Sequence, residues 1–210
     1  MHERTLSDNA QNALARLGKS EILKDCYLAG GSALALHLGH RKSFDFDFYT
    51  RKKLLVDEIA AELHRIGDFT TTLLEPPHTL LGDFQNVKFS LFRYDYPLIK
   101  SLIRFKNISL ASKEDIGAMK LSAITGRATK RDYIDLYFLS RLYPLDKLLD
   151  FYIKKYGDLG NNIYSIIKAL GFFEDAETDQ MPRMIKEVSW EKVKEYFRDQ
   201  TRLLAKKYLG

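Results

Sequence analysis

The chain has 210 residues, and its content of 45% hydrophobic and 12% aromatic residues is sufficient for a folded core and excludes a disordered sequence. Its formal net charge of +5 favours a polyanionic partner or substrate. The single cysteine, Cys26, excludes an intrachain disulfide and a cysteine-rich zinc site, and no segment has the apolar length of a signal peptide or a membrane span. We therefore expect a soluble cytoplasmic protein without membrane contact.

The first half of the chain mixes helical and strand patterns. Helical spacing predicts helices over residues 8–24, 33–38 and 54–66, and Ser32 is a good N-cap for the second of them. Strand patterns recur in seven segments, which are residues 26–29, 44–49, 69–74, 80–85, 87–94, 103–105 and 108–110. The last two are short enough to be edge strands. This half therefore predicts a mixed β-sheet with two or three helices.

From about residue 111 onward, apolar residues recur only with helical spacing. The predicted helices cover residues 113–125, 130–142, 145–156, 163–170 and 190–208. Residues 174–182 are acidic and polar and are predicted to form a loop. The expected fold is α+β, with a mixed sheet and flanking helices in residues 1–110 and a helical bundle in residues 111–210.

Two aspartates alternate with phenylalanines in the strand predicted at residues 43–48. Because side chains alternate along a strand, Asp45 and Asp47 share one face, and the phenylalanines between and beside them (Phe44, Phe46 and Phe48) share the other. The phenylalanine face is expected to lie in the core. Two neighbouring carboxylates repel each other, and a hard divalent cation such as Mg²⁺ removes this repulsion. The alternative for such a pair is an acidic face turned to solvent.

A glycine-rich turn precedes this strand and favours the metal interpretation. Gly30 and Gly31 allow a ligand to approach the backbone closely, and Ser32 begins a helix thirteen residues before Asp45. The N-terminus of a helix presents unpaired N–H groups and a positive dipole end, which bind phosphate. A phosphate site beside a metal site fits a nucleoside triphosphate.

Gly30-Gly31-Ser32 followed by Asp45-Phe46-Asp47 resembles the signature of the DNA polymerase beta-like nucleotidyltransferase superfamily. The longer stretch 27–48 is similar to the AbiEii/AbiGii toxin family of nucleotidyltransferases, and the similarity extends over about residues 20–145. The resemblance implies an enzyme that uses Mg²⁺ or Mn²⁺ to transfer a nucleotide from an NTP to an acceptor, with tRNA among the acceptors that some members use. It also implies a role in toxin–antitoxin or phage-defence (abortive infection) systems, with a cognate antitoxin as partner.

The same resemblance assigns roles to the residues of this first segment. Asp45 and Asp47 are the expected metal ligands and catalytic carboxylates. The expected substrate-binding residues are Gly30, Gly31, Ser32 and Ser43, the last because it lies two residues before Asp45 and on its face.

A second group of charged residues lies at 115–139. Lys120 is in one predicted helix, and Asp132 and Asp135 share a face of the next. The residues alone fit an interhelical ion-pair cluster as well as a catalytic group. The resemblance assigns Lys120 to triphosphate binding, Asp135 to an essential late carboxylate, and Arg131 to the substrate, whereas Asp132 pairs locally with Arg131 or Arg127. A cleft between the two halves of the chain is then expected.

One departure from the superfamily pattern leaves the activity open. Many members have a third carboxylate on a following strand, where this chain has Ser90. A non-catalytic nucleotide- or RNA-binding module of the same fold is therefore the alternative function. A metal-dependent nuclease or phosphatase ranks below both.

Several features fit an RNA acceptor without identifying it. Basic residues cluster at 41–42, 51–53, 100–106 and 127–131, and on one face of the last predicted helix, where acidic residues are interspersed. The aromatic side chains of Phe92, Tyr94 and Tyr96 offer either a stacking surface for a base or ordinary packing, and packing is the more frequent case.

Overall fold

The computed structural model describes residues 1–157 and 160–208, which form two compact units. The first unit, Met1–Ser112, contains the seven-stranded sheet. The second, Lys113–Gly210, is helical throughout its described elements. The expected α+β class is therefore confirmed.

The sheet of the first unit is mixed. Its strands are β1 Tyr27–Leu28, β2 Asp45–Thr50, β3 Phe69–Glu75, β4 Thr79–Phe84, β5 Val87–Arg93, β6 Ile103–Phe105 and β7 Ile108–Leu110. They follow the order β3-β4-β5-β2-β1-β7-β6. The central strand β2 runs parallel to β5 and antiparallel to β1. The prediction of two edge strands near residue 110 is wrong for β7, because β7 pairs with both β1 and β6.

Three α-helices accompany the sheet, and they are α1 Asp8–Lys19, α2 Gly30–Leu38 and α3 Val56–Ile66. The helix predicted to reach residue 24 ends at Lys19, because the extended backbone of Ser20 stops it and the Ser20 side chain caps a short 3₁₀ turn at Glu21–Leu23. Helix α2 is apolar on all sides and is almost wholly buried, as expected for a helix surrounded by core.

The alternation predicted for the aspartate strand is largely observed. Phe46 and Phe48 are completely buried, whereas Asp45 and Asp47 are half-buried on the opposite face. The exception is Phe44, which was expected in the core and is 46% exposed. Because β2 begins at Asp45, Phe44 precedes the strand and does not follow its alternation.

The described helices of the second unit are α4 Lys113–Gly126, α5 Lys130–Ser140, α6 Leu145–Tyr156, α7 Gly160–Leu170, α8 Glu174–Glu177 and α9 Trp190–Tyr208. The short helix α8 corrects the prediction of a loop throughout 174–182. Tyr133 is fully buried in this unit and donates hydrogen bonds to the carbonyls of Ala169 and Phe172, which connect α5 to the end of α7. In the described part of the chain, no helix has the length and apolarity needed to cross a membrane.

Candidate active site

The backbone ties the start of α2 directly to the two aspartates of β2. The amide of Ala29 donates to the carbonyl of Asp47 at 2.9 Å. The hydroxyl of Ser32 donates to the carbonyl of Asp45. The N-terminus of α2 and the two aspartates of β2 are therefore adjacent.

Gly30 is required by its backbone conformation and by its neighbour. Its φ is +61°, in the left-handed region that favours glycine, and a Cβ at this position would lie 2.6 Å from Oδ2 of Asp47. At Gly31, a Cβ would lie 2.6 Å from Nη2 of Arg41. The two glycines thus leave room for the side chains of Asp47 and Arg41. This role is additional to the close approach of phosphate that the sequence predicts.

Replacement of Gly30 by alanine is expected to lower nucleotide transfer at least about tenfold in a folded protein. The added methyl group strains a left-handed residue by roughly 1–2 kcal/mol and displaces the Asp47 carboxylate that it would overlap. Initial rates of transfer and a thermal melt measure the two effects separately. Gly126→Ala is the matched control, because nothing lies within 4 Å of its Cβ position. Unchanged transfer by Gly30→Ala would contradict the proposed importance of this contact.

The prediction of Ser32 as an N-cap is wrong. Helix α2 begins at Gly30, its N-cap is Ala29, and no side chain caps it. Ser32 lies in the first helical turn, is 1% exposed and uses its hydroxyl to hold the backbone of Asp45. Ser43 is also buried, and its hydroxyl would lie 3.4 Å from a Cβ at Gly31. Contact of either serine with phosphate stays a prediction.

Arg41 is a component of the site that its basic sequence context did not reveal. The sequence pattern places Arg41 with Lys42 in a basic patch, but its side chain is buried. Its guanidinium lies against Gly31 and donates to the carbonyl of Lys42 at 3.0 Å. A buried guanidinium beside the N-terminus of α2 adds positive charge where the dipole of the helix is already positive. The signal in the sequence is its position between α2 and the aspartate strand.

The donor set fits a divalent metal held jointly by protein and substrate. Asp45 and Asp47 project from one face of β2, and within residues 1–157 and 160–208 no group of three or more His, Cys, Asp or Glu side chains is arranged to hold a metal ion. Mg²⁺ is commonly bound by one or two carboxylates that leave its other positions to water and phosphate oxygens. Asp45 and Asp47, next to the turn at Gly30 and Gly31, provide such a partial set.

The register between β2 and β5 identifies the neighbours of the two aspartates. Asp47 pairs with Ser90, and Asp45 pairs with Lys88, so all four side chains lie on one face of the sheet. Ser90, the residue at which the sequence departs from a third carboxylate, therefore lies beside Asp47. Lys88 is exposed and was not singled out from the sequence. On this face the next strand has Asp83, which pairs with Lys88.

The second group of charged residues forms an ion-pair cluster in the helical unit. Nζ of Lys120 lies 2.8 Å from Asp132 and 2.6 Å from Asp135, and all three side chains are buried. Asp132 also accepts from Arg127 at 3.0 Å and from the hydroxyl of Thr129 at 2.7 Å. The interhelical ion pairs considered for these residues are thus observed, with Arg127 as the arginine that pairs with Asp132.

The charge of Asp132 is stabilised by this cluster. Burial by itself raises the pKa of a carboxyl group, but the charges of Lys120 and Arg127 outweigh it and lower the pKa of Asp132 to about 2. Arg131, which was expected to bind substrate, is exposed near the N-terminus of α5. The catalytic roles of Lys120 and Asp135 and the binding role of Arg131 stay predictions.

Cys26 does not have the properties of a nucleophile. Its side chain is buried beside β1, and burial, together with the charge of Asp25, raises the pKa of the thiol to about 12. A thiol with this pKa is protonated at neutral pH and reacts slowly. Cys26 is therefore not a candidate catalytic residue.

The fold of the chain is similar to those of two solved structures. JHP933 from Helicobacter pylori superposes with a TM-score of 0.58 at 19% identity, covering 97% of this chain and 94% of that one. MenT4, the nucleotidyltransferase toxin Rv2826c of Mycobacterium tuberculosis H37Rv, superposes with a TM-score of 0.55 at 16% identity, covering 95% and 86%. At such identities the comparison establishes the fold, which is of the nucleotidyltransferase type.

Sequence comparison then gives the family. The sequence model of the nucleotidyl transferase AbiEii toxins, which belong to type IV toxin–antitoxin systems, matches residues 12–206. The uncharacterized protein aq_aa25 of Aquifex aeolicus (strain VF5) is 35% identical over 204 residues, which cover 93% of this chain and 95% of that protein. The chain belongs to the AbiEii family of nucleotidyltransferase toxins, as segment 27–48 predicted. Membership implies an NTP substrate and a cognate antitoxin.

Proposed function

We propose that this protein uses a divalent metal, Mg²⁺ or Mn²⁺, to transfer a nucleotide from an NTP to an RNA acceptor, and that it acts as a toxin restrained by an antitoxin. The observation that carries the proposal is the junction of α2 and β2. There the N-terminus of a buried helix, a buried guanidinium and two half-buried carboxylates lie beside one another.

Different residues at this junction bind different parts of a metal-bound triphosphate. The first amides of α2 and the guanidinium of Arg41 provide positive charge for phosphate oxygens. Asp45 and Asp47 hold the metal, which when bound neutralises charge on the triphosphate. The acceptor hydroxyl oxygen then bonds to the α-phosphorus while its proton passes to solvent water, the bond from the α-phosphorus to the oxygen shared with the β-phosphate breaks, and pyrophosphate leaves with that electron pair. Positioning and charge neutralisation supply most of the catalysis in phosphoryl transfer of this kind.

Ser90 supports a second candidate function. Because this serine pairs in register with Asp47, the neighbouring strand provides no carboxylate at that point to accept the proton of the attacking hydroxyl. The same fold would then act as a nucleotide- or RNA-binding module. Tight binding of nucleotide without turnover, unaffected by Asp135→Ala, would favour this candidate over the transferase.

Each labelled NTP, incubated in turn with the protein, Mg²⁺ or Mn²⁺ and total RNA, tests the transfer proposal. We expect label to enter RNA with at least one NTP, and the signal to disappear with a metal chelator and with Asp45→Ala. Glu195→Ala is the matched control, because this acidic residue is exposed on α9.

Four outcomes would contradict the proposal. If no NTP labels the RNA, the acceptor is not RNA. If the label enters protein, a protein is the acceptor. RNA that is shortened on a denaturing gel indicates a nuclease. Equal labelling by the wild type and Asp45→Ala would remove the aspartate pair from the chemistry.

A further inference from the structure

We propose that Tyr49, Tyr94 and Tyr96 form a stacking site for an unpaired nucleobase on the aspartate face of the sheet. The three residues are called the tyrosine platform below. The proposal rests on the proposed function for its biological meaning, but the site is defined by its own geometry. It adds a binding role that neither the carboxylates nor the glycine turn supplies.

The tyrosine platform lies on the same face as the metal-binding aspartates. Tyr49 follows Asp47 by two residues on β2, so their side chains project to one side at about 7 Å along the strand. In the paired strand, Phe92 lies in register with Tyr49 just as Ser90 does with Asp47. The amide of Tyr94 donates to the carbonyl of Thr50 at 2.7 Å, which continues this alignment past the end of β5.

The rings form a continuous series from the core to the surface. The centroids of Tyr27 and Tyr49 are 5.9 Å apart with stacked planes, those of Tyr49 and Tyr94 are 5.2 Å apart, and those of Tyr94 and Tyr96 are 4.9 Å apart. Tyr27 is buried, Tyr49 and Tyr94 are half-buried, and Tyr96 is 44% exposed. A buried ring thus supports a series of packed rings that ends in the exposed ring of Tyr96.

The chemistry of this surface matches a nucleobase. Stacking on aromatic rings is tolerant of base identity, because every base has a π-face. The residues that follow β2 add charge for a phosphate backbone. Arg51 and Lys53 are exposed, whereas Lys52 is paired with Asp25 at 2.6 Å. Aromatic rings beside cations are typical of a surface that binds single-stranded nucleic acid. Packing is the more frequent role for such aromatic residues, but the exposure of Tyr96 favours a role in stacking on a base.

Two molecules can supply the base, the incoming NTP or the terminal nucleotide of the acceptor. The probes are 5-iodo-UTP and a single-stranded oligouridine RNA that ends in 5-iodouridine, each irradiated with the full-length protein. We expect cross-links to map to a peptide that contains Tyr94 and Tyr96. The probe that gives them identifies the source of the base, and either source supports the platform.

Substitution tests the same site without any need for transfer. Tyr94→Leu and Tyr96→Leu are expected to weaken binding of the cross-linking probe about tenfold each in fluorescence anisotropy, whereas the phenylalanine variants keep the ring and bind like the wild type. Tyr164→Leu is the matched control, since Tyr164 is 54% exposed in the helical unit. A thermal melt of each variant shows that it is folded.

The outcomes separate this proposal from the transfer proposal. Leucine variants that bind both probes like the wild type, or cross-links only to other peptides, would overturn the platform even if the enzyme transfers nucleotides. Cross-links at the platform that persist in Asp45→Ala support the site, even if no transfer is found with any NTP.

Discussion

Replacement of Asp47 by asparagine is expected to lower the rate of nucleotide transfer by about a thousandfold or more. Asparagine has nearly the same shape, so the close contact with Gly30 is retained and the sheet is undisturbed. What is lost is one negative charge and one carboxylate oxygen, which the proposed metal site would use to bind Mg²⁺. A thousandfold change corresponds to about 4 kcal/mol of transition-state stabilisation, which is within the range of a metal's contribution.

Single-turnover rates at saturating NTP measure this effect, and a titration with Mg²⁺ shows whether metal affinity falls with it. Asp83→Asn is the sharpest control, since Asp83 is an exposed carboxylate on the same face of the sheet but lies beyond Lys88. It should transfer at about the wild-type rate. If Asp47→Asn retained most of the activity, or if Asp83→Asn lost it equally, the assignment of the metal site to Asp45 and Asp47 would be wrong.

Replacement of Lys120 by methionine is expected to reduce the free energy of unfolding by about 3–5 kcal/mol. The ammonium group lies between Asp132 and Asp135, whose side chains are at most 1% exposed. Its removal leaves two buried carboxylates with less compensation, and removing one partner of a buried ion pair has an effect of this size. Chemical denaturation with urea measures the change.

A second variant separates stability from catalysis at this cluster. Lys120→Met combined with Asp135→Asn removes one charge of each sign and is expected to recover part of the lost stability, because the remaining Asp132 still accepts from Arg127 and Thr129. If the recovered protein is inactive, Lys120 and Asp135 have the catalytic roles that the resemblance assigns. A stable double variant with the wild-type transfer rate would restrict both residues to a structural role.

Local sequence rules were sufficient for the part of the site that lies on one strand. The alternation of Phe46 and Phe48 with Asp45 and Asp47 depends only on the twofold repeat of a β-strand, and it is observed. The same holds for the element types of the sheet, because strongly apolar runs between turn residues leave few alternatives.

Those rules failed where contacts between distant residues decide the structure. Helix α2 begins at Gly30, two residues before Ser32. The left-handed backbone of Gly30 turns the chain there, next to the hydrogen bond from the amide of Ala29 to the carbonyl of Asp47. Whether a cation is buried depends in the same way on partners elsewhere in the chain. Arg41 looks like an ordinary basic residue in the sequence, yet it is withdrawn from solvent. Its environment follows from packing, and no pattern of neighbours specifies it.

The central position of β2 has a consequence for how this segment can change in evolution. Its pairing to β5 and β1 fixes the register, and one face fills the core while the other carries the aspartates. An insertion or deletion of a single residue within the strand would exchange the two faces, so that carboxylates enter the core and phenylalanines reach the surface. Folding and chemistry would fail together. Selection for a stable protein therefore also maintains the spacing of the aspartates, and length variation should be confined to the loops that flank this strand.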